Sequence, residues 1–152
     1  AALANSAPKL RFIYGESGFA EGGPFPPHRT HQNGTSVDFM VPLRSSNNEI
    51  VELETFVTNR FGYDERFDDE GRSKNGTRID FEAIAKHLIA LDQAARSHGI
   101  RVKRVILEPP LLKYLFAAPS GKPLPKLMTF MRNRAWFRHD QHYHVDFEVR
   151  CR

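Results

Sequence analysis

The sequence predicts an α+β fold, a small central antiparallel β-sheet with helices packed on it, and three segments carry that prediction. HYHVDFEV at residues 142–149 and IVELETFV at residues 50–57 alternate in polarity at period two, as strands do. FEAIAKHLIALDQAARSHG, residues 81–99, instead repeats its apolar positions at the helical period. Strands with one wet face and a helix with one apolar face can bury each other in layers. With 152 residues, 40% of them hydrophobic, one domain is expected over residues 1–152. Residues 1–14 read as a flexible segment or as the start of a mature chain.

In chain order, the Gly/Pro-rich stretch GESGFAEGGPFPPH (residues 15–28) is expected to be loop. Asn33-Gly34 reads as a turn, with residues 36–43 extended after it. The polar tip RSSNNE leads into IVELETFV, where Val51, Leu53, Thr55 and Val57 alternate with Glu52 and Glu54, so the two runs read as a hairpin. Residues 58–78 are polar and turn-rich, a long surface loop. Asp80 is placed as the N-cap of the long helix, Phe81, Ile84, Ala85, Leu88 and Ala95 share its apolar face, and Gly99 stops it. RVKRVILE is the next strand, ended by Pro109-Pro110; LLKYLFAA is a short helix, PSGKPLP a loop, and KLMTFMRNRAW a helix feeding the last strand. In that strand Tyr143, Val145, Phe147 and Val149 point one way, and His142, His144, Asp146 and Glu148 the other.

Composition narrows the function. Lys and Arg outnumber Asp and Glu by 22 to 18, and the net charge of +4 suits an anionic partner. The signs are interspersed and no basic stripe interleaves with aromatics, so nucleic acid is not expected as that partner. No run approaches the ~20 apolar residues of a bilayer span, so no integral membrane segment is expected. The opening AALANSAPK is too polar and short for an intact secretory signal, and a chain that had already lost one would look the same. The single cysteine, Cys151, allows neither an internal disulfide nor a cysteine zinc site. Any metal has to be held by His, Asp or Glu.

Five of the seven histidines fall in two short segments, HRTHQNGTSVDF and HDQHYH. A His-x-His pair alone arises readily by chance, so two clusters together carry more than either. A hydrolytic zinc ion takes three protein ligands, typically imidazoles with a carboxylate, and leaves its fourth position to water, whose pKa falls toward ~7. A further basic side chain must then move the water's proton to the leaving group. The bland alternatives are concrete. The clustered residues could be surface polar groups, and His142 could orient a ligand instead of carrying a proton. His139 could be an exposed loop residue. His87 and His98, off the helix's apolar face or in its last turn, read as structural, with His98 placed to complement the helix dipole. Trp136 reads as core. The acidic run DERFDDE reads as a solvated loop whose spacing fits no calcium loop, and the Asn-Gly-Thr triplets at Asn33 and Asn75 read as turns.

HRTHQNGTSVDF taken with WFRHDQHYHVDFEVRC resembles the penicillin-insensitive murein endopeptidases, within the wider superfamily of lysostaphin-type, D-alanyl-D-alanine and Hedgehog-like metallopeptidases. The match consists of His-x2-His-x2-Gly-x3-Asp, then His-x2-His-x-His, with a Trp shortly before the second motif. RVKRVILEPPLLKYL is similar to the family's strand followed by a short helix after proline, and the likeness runs from about Gly15 to Cys151. The resemblance implies a Hedgehog/D-Ala-D-Ala-peptidase-like fold and one Zn2+ held by His31, Asp38 and His144. It implies His142 as the residue that handles the proton, His139 as its assistant, and His28 as a further site histidine lining the cleft or touching a second metal. Gly34 would let the backbone turn between the first two ligands. The implied reaction is hydrolysis of D-alanyl cross-links in peptidoglycan, chiefly D-alanyl–meso-diaminopimelate, in the bacterial cell envelope, periplasmic or secreted. This chain departs from the enterobacterial pattern of several cysteines and disulfides. Its residues 58–78 show no clear counterpart to the family's additional Asp and His positions, with Asp64 and Asp68 as the candidates. Two other functions stay open: a D-alanyl carboxypeptidase with the same metal, and a non-hydrolytic module that binds wall peptides or metal.

Overall fold

The computed structural model describes residues 10–26, 28, 30–53, 65–135 and 137–149. The architecture is α+β with two small sheets and a few helices. β1 (Ser36–Met40), β7 (His142–Val149), β5 (Ile100–Ile106) and β6 (Thr129–Phe130) form the larger sheet in that spatial order. β2 (Leu43–Arg44) lies between β3 (Ile50–Val51) and β4 (Arg78–Ile79) in the smaller one. No helix among the described residues is long and apolar enough to cross a membrane.

The larger sheet is mixed, which corrects the expectation of a purely antiparallel one. β7 pairs antiparallel with β1 and β5, but β6 runs parallel to β5, with Arg104 opposite Thr129 and Val105 opposite Phe130. The chain leaves β5, passes through helical segments and returns to the open edge, and a crossover of that kind delivers a parallel strand. The same edge overrides the helix expected over KLMTFMRNRAW. A short helix, Leu124–Leu127, begins inside PSGKPLP and ends at the second residue of KLMTFMRNRAW, and Thr129–Phe130 extends instead to occupy hydrogen-bonding groups that β5 would otherwise expose. Apolar residues at 127, 128, 130 and 131 fit either period, so local patterning could not decide. Trp136 lies outside the described residues.

The long helix α1 (Phe81–Ser97) follows its signals closely. Asp80 Oδ1 accepts from the Ala83 backbone N–H at 3.0 Å, and His98 closes the C-terminus by donating its N–H to the carbonyls of Ala95 and Arg96. Ile84, Ala85 and Leu88 are wholly buried, while Tyr143 and Val145 of β7 and Val105 of β5 supply the sheet side of the same core. α1 packs on β5, on α2 (Leu112–Ala117) and on α3 (Leu124–Leu127). Full burial of an Ile, Leu or Val side chain in this way stabilises by about 1.5–3 kcal/mol. His87 differs from its expected place off the apolar face: it is fully buried, its Nδ1 pairs with the Tyr143 hydroxyl, and Phe12 stacks on its ring at 4.2 Å. Burial holds its pKa down to about 3, so it is a neutral core histidine.

Hairpin pairing of β2 with β3 is present but short, Leu43 opposite Val51 and Arg44 opposite Ile50. Thr55 and Val57 fall outside the described residues. Of the expected surface loop, residues 65–78 are turn-rich, yet Phe67 is buried. Residues 10–14 lead onto the outer edge of β1: Met40 N–H donates to the Ile13 carbonyl at 2.9 Å, and Tyr14 bridges to Phe39. The run continues with Gly15 N–H to Asp38 O at 2.7 Å and Asp38 N–H to Glu16 O at 2.9 Å. β1 is thus clamped on both edges, which holds Asp38 rigidly.

Candidate metal centre

The register of β1 against β7 builds the site. Ser36 faces Asp146, Asp38 faces His144 and Met40 faces His142, each as a direct cross-strand pair. Directly opposed side chains on one face have Cβ atoms about 4.5–5.5 Å apart, so Asp38 and His144 meet although 106 residues separate them in sequence. His144 Nδ1 lies 2.8 Å from Asp38 Oδ1, and His31 Nε2 lies 3.3 Å from that same oxygen. His31, Asp38 and His144 are all buried and offer ligand atoms that lie within 4.8 Å of one another. This buried group can bind a metal ion.

The loop before β1 delivers His31 at a backbone cost. Its φ is +61°, the left-handed region that a non-glycine residue enters at a cost of about 1–3 kcal/mol and that clusters at functional sites. Gly18 makes this packing possible: a Cβ there would sit 1.9 Å from the His31 carbonyl oxygen. Gly34, at φ +72°, turns the chain from the loop into β1, and Asn33 Oδ1 accepts from Thr35 Oγ1 at 2.6 Å and Thr35 N at 3.3 Å to fix the turn. The His31 ring stands edge-on to His144, centroids 4.7 Å apart. Nδ1 of the ring has no hydrogen-bond partner and Nε2 has only the 3.3 Å approach to Asp38 Oδ1, although the residue is only 1% exposed. A buried imidazole left this way costs free energy, and a cation facing Nε2 would remove that cost. Two imidazoles and a carboxylate are also a donor set that zinc accepts.

His144 is gripped from both ends. Its Nε2 lies 2.7 Å from Asp146 Oδ1, and Asp146 in turn accepts from Ser36 Oγ at 2.8 Å and from Arg104 Nε at 2.8 Å. Burial pushes His144 toward deprotonation, but the bonds to Asp146 and Asp38 outweigh it and lift its pKa to about 9. Burial likewise pushes the Asp38 carboxyl up, yet hydrogen bonds to His144 and His31 hold it well below the usual carboxylate range. Two carboxylates therefore keep a proton on the ring between them, and a metal entering against Asp38 must displace the proton on Nδ1. Asp146 stays on Nε2, orienting the ring as a carboxylate behind a histidine ligand does. Asp146→Asn is expected to weaken metal affinity by about 10–100-fold with the fold retained. Titration of metal-stripped protein with zinc checks this, and equal affinity for parent and variant would refute it.

His142 is buried on the same face, and its ring centroid is 4.7 Å from that of His139. Burial holds the His142 pKa down to about 3, so the ring is neutral. His139 is half-buried and not an open loop residue. Its Nδ1 donates to the Phe137 carbonyl at 2.8 Å, and its backbone N–H reaches Glu108 Oε2 at 3.3 Å. His28 stands 5.3 Å from His31, ring to ring, and its Nε2 is 2.7 Å from Glu16 Oε2. All six proposed site residues thus fall in one neighbourhood, with His87 and His98 elsewhere. Asp64 lies outside the described residues, and Asp68 Oδ1 accepts from the backbone of Glu70 and Arg72 in its own turn.

Sequence reasoning left out Glu16, Glu108 and Asp146. Asp146 carried a usable signal, being on the same strand face as His142 and His144. Glu16 and Glu108 carried none, since a loop crossing and a strand end bring them in. Compared with protein-family models, with curated proteins and with solved structures, the chain shows no match to any.

Proposed function

We propose that this chain is a zinc-dependent peptidoglycan endopeptidase that hydrolyses D-alanyl cross-link peptide bonds of the D-Ala–meso-diaminopimelate type. The observation that carries the reading is the convergence of His31, Asp38 and His144 on one buried point, with His142 and His139 beside them. The two sequence motifs that resemble the murein endopeptidases support it from the other side. Zinc bound by the trio would supply Lewis acidity, acidifying water toward a pKa of ~7 and polarising a carbonyl. His142 takes the proton of the attacking water on its neutral imidazole and passes it to the leaving amine. His139, fixed through its Nδ1 on the Phe137 carbonyl, steadies the His142 ring. Asp146 keeps its hydrogen bond to Nε2 of His144 and so leaves Nδ1 for the ion. His28, tied to Glu16, lines the approach. The anionic sacculus suits the chain's net positive charge of +4, and such a substrate puts the enzyme in the bacterial envelope, periplasmic or secreted.

The test is direct. Purified protein is expected to carry about one equivalent of zinc, as one catalytic site requires, and to digest cross-linked muropeptide dimers to monomers. Dimers left intact with metal present would defeat the proposal. Release of free D-alanine in place of monomers would select the carboxypeptidase.

A further inference from the structure

A polar cavity of about 710 Å3 opens beside the metal centre, and Ser36 and Asp146 line its inner side. One imidazole separates it from the trio, because Asp146 is the carboxylate that holds the far nitrogen of His144. Its other walls are Thr30, Gln32, Asn33 and Thr35 of the His31 loop and the strand edge at Lys103, Arg104 and Thr129. Two consecutive residues of a regular strand point to opposite faces, yet Lys103 and Arg104 both border this cavity. The cause is a bulge: the register of β5 against β7 slips between Val102 and Arg104. Bulges re-aim side chains, and they recur beside active sites.

The charges do not cancel. Arg104 is committed to Asp146, with Nε and Nη2 at 2.8 and 2.6 Å from Oδ2. Lys103 is exposed at the rim, and no carboxylate among the described residues pairs with it. Thr30, Thr35 and Thr129 add hydroxyls, and Asn33, whose Oδ1 is spent on Thr35, has its Nδ2 as donor. With the Asp146 charge met by Arg104, the cation left over and the neutral donors beside it are the chemistry that recognises a carboxylate.

We infer that this cavity, with Lys103 as its anchor, binds the carboxylate carried by the carbon next to the scissile nitrogen of the substrate. The inference rests on the hydrolase reading and sharpens its substrate class. In a D-alanyl-D-alanine terminus that carbon bears the chain's terminal carboxylate. In a D-alanyl–diaminopimelate cross-link it is the D-centre of the diamino acid, which bears a carboxylate too. The recognised chemistry is shared, and the side chain beyond it differs.

The experiment titrates the full chain, with its metal, by amide NMR. The first probe is the non-hydrolysable ketomethylene isostere of acetyl-D-alanyl-D-alanine. The second carries a D-lysine side chain in the last position, and the third is the first probe with its carboxylate converted to carboxamide. The carboxylate probes are expected to saturate while shifting the signals of Asn33, Thr35 and Thr129, with the carboxamide bound about tenfold more weakly. Lys103→Gln should weaken the carboxylate probes about five- to tenfold, leave the carboxamide and the metal content unchanged, and be rescued by Lys103→Arg. Preference between the two carboxylates identifies a terminal D-alanine or a diamino acid as the source. Equal binding of carboxylate and carboxamide, or an unaltered affinity in Lys103→Gln, overturns the inference. The two readings fail separately. Lys103-dependent binding with muropeptide dimers left intact removes the hydrolase and keeps the cavity. Digestion of dimers with Lys103→Gln binding as the parent does removes the cavity and keeps the hydrolase.

Discussion

Asp38→Ala is expected to lose the metal and, with it, all hydrolysis. Asp38 Oδ1 is the atom on which the centre converges, 2.8 Å from His144 Nδ1 and 3.3 Å from His31 Nε2. Removing it leaves two imidazoles and no anionic ligand, so affinity should fall by more than the roughly 10–100-fold that outer-shell changes cost. The variant also strands the Nδ1–H of His144 in a buried site, at about 1–3 kcal/mol of stability. Asp38→Asn separates the two effects. Its amide oxygen can still accept from His144 while the charge is gone, so it should fold near normally and bind metal poorly. Elemental analysis after dialysis, alongside thermal unfolding, reads both quantities. An Asp38→Ala protein that keeps a full equivalent of zinc would show that the ion sits elsewhere.

What the sequence made legible follows the range of the interactions. β7 was read to the residue, because eight positions of strict alternation admit one pairing face. The cap at Asp80 and the stop after His98 were equally local, each decided within four residues. β6 was misread as helix because its strand character comes from the open edge of β5, some 25 positions away, and not from Thr129 and Phe130 themselves. His87 was misplaced for a related reason. The helix face gave no sign that Tyr143, reached only through the sheet, would supply a hydroxyl partner for a buried ring. The three proposed ligands were legible through motif spacing, whereas their distance from one another depends on β1–β7 register and on the left-handed backbone at His31. Glu16 and Glu108 reach the centre through backbone pairings that leave no periodic trace. The bulge that turns Lys103 and Arg104 to one cavity is likewise a property of the ladder, since RVKRVILE reads as an ordinary strand.

His142→Ala is expected to keep its zinc and lose turnover, the opposite pattern from Asp38→Ala in metal content. The contacts that set the trio run among His31, Asp38, His144 and Asp146. His142 instead occupies the next place along the same strand face, opposite Met40 and against the His139 ring. A group so placed can move a proton without holding the ion, and losing such a group typically costs about 100- to 10,000-fold in rate. The expected signature is a fall in kcat with KM little changed, because the interaction is made as the proton moves and not when substrate binds. His142 is buried, so alanine also opens a cavity, and His142→Gln, nearer in volume, controls for lost packing. If both variants retain metal and both fail to turn over, the proton role stands apart from any structural one. If His142→Ala releases the zinc while His144→Ala retains it, ligand and base have been exchanged, and the ion would have to bind one pair further along the β1–β7 ladder, beside Met40, where β1 offers a thioether in place of a carboxylate.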